Sequence, residues 1–252
     1  VLPRVLPGPP RPTAAAGLAA AVLSLSVLLA GCSSEPAGPS AGATARPVSG
    51  AVSPTGAAGA PVTPLPSAGP LGSGFVTPTA PPAPGGTMSP TPGSWDAATP
   101  PPGYRVVLLT TQQDAGARTI SAAVTRWAAE TGVDLTTIAA TEPASYVGAV
   151  QEAIDLHRDL VITAGDGLVD PLALVTASWL DQDFLVIGAE LAEPTYNVTA
   201  ADWVGASYRG EGLGMSSTYD PATFTAERSA RAVRAGVAAV VSGWSGYVVQ
   251  VD

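Results

Sequence analysis

Three aspartates and one short glycine-rich stretch are the parts of this chain whose residue types and spacing could do chemistry. Asp114, Asp166 and Asp170 each stand a few residues beyond a short apolar run, and Tyr208-Arg209-Gly210-Glu211-Gly212 sets an aromatic ring, a cation and an anion side by side. Carboxylates gathered in one cleft can accept hydrogen bonds from a ribose or an amine, or hold a hard cation through oxygen. Each also has a plainer reading. Asp166-Gly167 suits a turn, and Asp170 suits the cap of a helix opening at Pro171. For Asp114 and Asp166 both readings stay open, whereas Asp170 is expected to cap. Tyr208, Arg209 and Glu211 can stack on and hydrogen-bond a ligand, or form a loop with a local Arg–Glu ion pair worth under ~1 kcal/mol if exposed.

Catalysis has little to draw on. His157 is the single histidine, and it precedes a strand, which puts it near the amino ends of the strands and makes it a surface or capping residue. Gly243-Trp244-Ser245-Gly246 lacks the second glycine position of a nucleophile elbow. All 11 basic residues are arginine, so a Walker-type phosphate loop, a Schiff-base lysine and a Ser-x-x-Lys nucleophile are excluded. A single cysteine excludes a disulfide framework and a cysteine-built metal site. Gly210, Gly212 and Gly214 do not carry a strand into a helix at dinucleotide spacing. We therefore expect no enzyme, no cofactor and no metal centre.

The elements that must position these side chains alternate. Arg105–Thr111 (RVVLLTT), Asp134–Ala139 (DLTTIA), Asp159–Ala164 (DLVITA) and Phe184–Gly188 (FLVIG) read as strands, the apolar ones as strands buried on both faces. Residues 198–207 hold a weaker strand, and Tyr247–Val251 a last one. Helices are expected over Ala117–Thr131, from Pro143 to about Leu156, over Pro171–Leu180 and over Thr223–Ser242. This alternation predicts an α/β fold with a doubly wound, mostly parallel sheet, a flavodoxin- or Rossmann-like single lobe. Ligands of such sheets sit at the carboxyl ends of the strands, at the topological switch point. In a flavodoxin-like order that point lies between the first and third strands, at the loops Thr111–Arg118 and Ala164–Pro171. On the last helix, Ala230, Val233, Val237 and Val241 define the inner face. Arg228, Arg231 and Arg234 are expected on the solvated outer one, with anionic lipid or a partner as the alternative. Trp127, Trp179, Trp203 and Trp244 are expected in the core, the last two with pocket lining as the alternative.

Proline separates the domain from what precedes it. Five of the 26 prolines lie in residues 1–12, seventeen between Cys32 and Pro102, and four beyond Gly103. Residues 32–102 are rich in Pro, Ala, Gly, Ser and Thr and cannot bury enough surface to offset ordering their backbone, so a disordered linker is expected there. As a flexible coil it would span roughly 45–50 Å. Phe75 and Trp95 are isolated within it and are assigned nothing. The folded domain is expected over 103–252.

Ahead of the linker, Arg4 and Arg11 precede an apolar run, Ala14–Ala30, that ends Leu28-Leu29-Ala30-Gly31-Cys32. This resembles the bacterial lipobox at every position, and it implies a signal peptide over 1–31 and a diacylated Cys32. The run is short and weak for a spanning helix, and no basic stop-transfer cluster follows it. The expected place is the extracytoplasmic face of the cell membrane, held by lipid. The sequon Asn197-Val198-Thr199 means little in such a chain. The whole sequence carries a formal charge of −9, which argues against nucleic acid as a partner.

The order of motifs carries one resemblance. An acid-containing loop after the first strand, then GVDL, DLVITAGDG, FLVIG and a stretch ending SYRGEG, is similar to the basic membrane protein family over residues 104–214. Those proteins are lipoprotein solute-binding components of ABC importers, with the type 1 periplasmic-binding fold and nucleoside-like ligands. In this chain Gln112-Gln113-Asp114-Ala115-Gly116 keeps the family's acid without the Phe-Asn that follows it, and one lobe is expected. The resemblance implies a small polar ligand held by Asp114, Asp166, Tyr208, Arg209 and Glu211, and an ABC permease or another envelope protein as partner. The alternative is a non-catalytic structural lipoprotein whose domain docks a protein or wall partner.

Overall fold

The computed structural model describes residues 69–76, 82–83, 85–206, 208–215 and 217–252. The leader and Cys32 lie outside the described residues. In chain order the elements are β1 (Thr87–Met88), β2 (Arg105–Thr110), α1 (Ala115–Thr131), β3 (Asp134–Ala139), α2 (Tyr146–Asp155), β4 (Leu160–Ala164), α3 (Val169–Val175), β5 (Phe184–Ile187), β6 (Val198–Asp202), α4 (Ala226–Val241) and β7 (Val248–Gln250). Short 3₁₀ turns precede α2, follow α3 and precede α4.

All the strands pair in parallel, in the order β1-β7-β6-β5-β4-β2-β3. β2 lies between β3 and β4, with Val107 facing both Thr136 and Val161. The connection therefore reverses direction at β2, and the switch point lies between β2 and β4, as the flavodoxin-like order requires. The central strands β2, β4 and β5 are largely apolar on both sides because both of their faces are covered. Val106, Leu108, Ile162 and Leu185 pack under α1 and α4, while Val107, Leu109, Val161 and Val186 pack under α2 and α3.

Local chemistry sets the element ends. The Asp114 Oδ1 accepts the Ala117 N–H at 2.7 Å to open α1, and Gly132, at φ 71°, closes it. The Thr225 Oγ1 accepts the Arg228 N–H at 3.2 Å to open α4. His157 is exposed in the left-handed region (φ 47°) just past α2, the surface position expected for it.

Four features differ from expectation. The linker expected over 32–102 is, in its described part, a packed piece of the domain. Phe75, Met88, Trp95 and Ala98 are buried in the core under α1 and α4, and β1 pairs with β7. Hydrogen bonds from Gly72 N to Ser94 O (2.7 Å) and Thr91 N to Gly74 O (2.9 Å) fold the segment on itself. A few well-placed apolar anchors suffice for this, and a composition average over the whole stretch hides them. Trp179 is 39% exposed, because the helix after Pro171 breaks into a 3₁₀ turn that carries the ring outward. α3 opens at Val169 with Leu168 at its cap, so Asp170 falls in the first turn and does not cap.

The inner face of α4 is also broader than expected. Ala230 and Val241 are only partly buried, whereas Ala232, Val233, Ala235, Gly236 and Val237 all lie inside. The helix packs against both the sheet and α1. A Cβ at Gly236 would stand 2.7 Å from Leu185 Cδ1, so glycine permits the close approach to the sheet. Of the outer arginines, Arg234 pairs with Glu130 at 2.8 Å and Arg231 donates to the Asp252 carbonyl. Asn197 is 1% exposed, and its Nδ2 reaches the carbonyls of Thr176, Trp179 and Gln182.

Candidate functional site

The two loops at the switch point approach closely. Beyond β2, Gln112 adopts φ 55°, a left-handed conformation uncommon for a residue with a side chain, and its N–H donates to Thr110 Oγ1 at 3.2 Å. Arg118 Nη1 donates to the carbonyls of Gln112 (3.1 Å) and Gln113 (3.2 Å), which holds the turn in place. Beyond β4, Gly165 has φ 78°, and a Cβ there would lie 3.3 Å from that of Ala117. Glycine thus lets the β4 loop come down onto the start of α1.

Asp166 is half-buried beside this contact. Burial raises its carboxyl pKa, and the nearby Asp114 charge raises it further, against a backbone hydrogen bond that lowers it. Asp170 Oδ1 accepts the Glu211 N–H at 3.2 Å, which ties the 208–215 loop to α3. That tie keeps Tyr208 within electrostatic reach of the acids. Its phenol pKa is raised by burial first, then by Asp170, Asp166 and Glu211. Tyr219 feels burial first, then Asp166 and Asp114, and its ring packs 5.6 Å from Phe224, which meets Trp203 at 5.1 Å.

The structure thus brings Asp114, Asp166, Tyr208 and Glu211 together with Asp170 and Tyr219 at the carboxyl ends of β2 and β4. Asp114 is at once a helix cap and a member of this group. Tyr219 has no signal in the sequence, since it stands in an irregular stretch before α4.

Arg209 points elsewhere. Its Nε lies 3.4 Å from Glu190 Oε2 and its Nη2 donates to the Ala192 carbonyl at 3.2 Å, so the local pair with Glu211 does not form. Glu190 is 5% exposed, and its N–H donates to the Tyr208 carbonyl at 2.8 Å. Beside it, Asp202 at the end of β6 is wholly buried. The Asp202 pKa is pushed up to about 9, by burial first and then by its hydrogen bond to Glu190 and the Glu190 charge, with Arg209 opposing. Burial and the neighbouring Glu190 carboxylate thus both favour the protonated form of Asp202. The one sequence signal for this pair is an aspartate closing an otherwise uncharged strand, Val198–Asp202.

The remaining candidates are structural. Trp203 is fully buried and donates from Nε1 to Thr223 Oγ1 at 2.9 Å. Trp244 packs on Tyr247 with ring centroids 5.6 Å apart. Among the described residues, no group of three or more His, Cys, Asp or Glu is placed to hold a metal ion, and no helix is long and apolar enough to cross a membrane.

No family model and no curated protein matches the chain. Solved structures with similar stretches include an ABC transporter system solute-binding protein from Aeropyrum pernix K1, at 21% identity and TM-score 0.37, covering 40% of this chain and 29% of that one. Another is such a protein from Conexibacter woesei DSM 14684, at 16% identity and TM-score 0.33, covering 40% of this chain and 36% of that one. A third is an ABC transporter solute-binding protein from Agrobacterium vitis bound with α-D-tagatopyranose, at 15% identity and TM-score 0.30, covering 59% of this chain and 57% of that one. The chain spans about a third of the length of the first two.

Proposed function

We propose that this chain is an extracytoplasmic lipoprotein, anchored to the cell membrane through Cys32, whose domain binds a small polar ligand such as a nucleoside without transforming it. The bound ligand would then serve an ABC permease or a sensing partner. One observation carries the reading. Asp114, Asp166 and the loop holding Tyr208 and Glu211 come from three parts of the chain and lie close enough to feel one another's charge. They stand beyond β2 and β4, on the side where sheets of this type hold their ligands. The group offers carboxylate acceptors for ribose hydroxyls and a phenol ring for stacking on a base. No nucleophile–base pair accompanies it, since the single histidine lies on the far side of α2 from this crevice, just before β4. For the anchor, support comes from Arg4 and Arg11, the apolar run and Leu28–Cys32.

Titration calorimetry with adenosine, uridine and free ribose tests the ligand reading. Saturable heat with a nucleoside, weakened roughly tenfold or more by Asp166→Asn, is the expected result. A flat panel would overturn it and favour docking of a protein or wall partner. Replacing Cys32 by Ser should release the protein from the membrane fraction, and retention there would overturn the lipid anchor.

A further inference from the structure

We infer a second binding site, at the β6–β7–β1 end of the sheet, for a small zwitterion of the α-amino acid type, with its ammonium on Glu190 and its carboxylate on Arg209. The argument starts from coverage of the sheet. On the face under α2 and α3, the buried core reaches Val198 of β6 and includes no residue of β7 or β1. The connection from β5 to β6 carries no helix that could extend the cover. Side chains alternate along a strand, so while Val249 packs under α4, Val248 and Gln250 face the opposite side, where no helix lies over them. What remains there is an open cleft of about 390 Å³ lined by Val248, Gln250, Glu190 and Arg209, with Thr87 exposed at its rim. That volume falls within the range of small-molecule sites.

The charges in the wall select the ligand. A lone anion would approach Arg209 but meet the Glu190 carboxylate 3.4 Å away. A lone cation would meet the guanidinium in the same way. A divalent metal needs several anionic oxygens, and the cleft lining offers one carboxylate, Glu190, with the Arg209 guanidinium beside it. An apolar ligand would strip water from the ion pair and return nothing. An α-amino acid carries both charges on one carbon and can satisfy both partners together, while Gln250 and Thr87 offer neutral hydrogen bonds and Val248 takes a short apolar side chain. The Ala192 carbonyl accepts from Arg209 Nη2 at 3.2 Å and fixes the guanidinium in place.

The test is calorimetric titration of the full chain with L-alanine, ethylamine and propionate, the last two carrying one charge each. L-alanine should give saturable heat, and the single-charge compounds none. Glu190→Gln should weaken L-alanine roughly tenfold or more. Thr87→Phe fills the cleft from its exposed rim without touching the buried pair, and should abolish the signal at an unchanged melting temperature. Asp166→Asn should leave L-alanine binding intact, which separates this site from the switch-point crevice. No saturable heat with L-alanine, binding that survives both Glu190→Gln and Thr87→Phe, or ethylamine binding as well as L-alanine would overturn the inference.

Discussion

Replacing Phe75 by Ala tests whether the proline-rich stretch ahead of β2 belongs to the folded domain. Phe75 is 2% exposed and joins the core that Met88, Trp95 and Trp127 share with α1 and α4. Truncating a buried phenylalanine removes its transfer free energy and leaves a cavity, together costing about 3–5 kcal/mol. A domain of this size loses about 2–4 °C of melting temperature per kcal/mol, so a fall of roughly 6–20 °C follows. Were Phe75 part of a solvated linker, the change would stay within about 0.5 kcal/mol. Differential scanning calorimetry on the two chains reads the difference directly. A melting temperature within about 2 °C of the parent would refute the packing account and return residues 69–102 to the linker.

Two further outcomes are expected. Asp202 binds its proton more tightly in the folded state than in the unfolded one, so its contribution to stability is complete below the ordinary carboxyl pKa of 3.8 and is lost as pH rises to about 9. Asp166 and Asp183, also raised, act in the same direction, so urea unfolding across this range should show a downward slope that Asp202→Asn makes shallower; an unchanged slope would exclude Asp202 as its source. Asn197→Ala should cost about 1–3 kcal/mol by leaving buried carbonyls without their donor, and the intact Asn197 should gain no glycan mass when the chain is secreted from a glycosylating host.

The parts of the fold legible beforehand share one physical cause. Apart from Arg105, Thr110 and Thr163, β2, β4 and β5 are apolar throughout because helices cover both faces, so these strands are legible from their pattern. The switch point follows once the order is flavodoxin-like. The position of Asp114 just beyond a central strand is legible because the loop after such a strand has one place to go, and there it caps α1. β1 was not, because two residues carry no periodicity, and its partner β7 lies at the other end of the chain. For Arg209, proximity in sequence points to Glu211 as partner, whereas folding brings Glu190 to it. Glu190 and Asp202 meet only across the β5–β6 crossover, and neither residue's sequence neighbours reveal that the other will face it.

The pairing of β1 with β7 sets a timetable for the chain's own assembly. Thr87 meets Val248 and Met88 meets Val249, contacts separated by 161 residues. The early segment has no strand to join until β7 (Val248–Gln250) is in place, and closing so long a loop is entropically costly and slow. The central strands can pair with their neighbours well before that. Phe75 and Trp95 then reach their final core late, and the two-residue β1 caps the row of unpaired backbone groups that β7 would otherwise offer to strands of other molecules. The molecule is most vulnerable to aggregation in the interval before this final stitch.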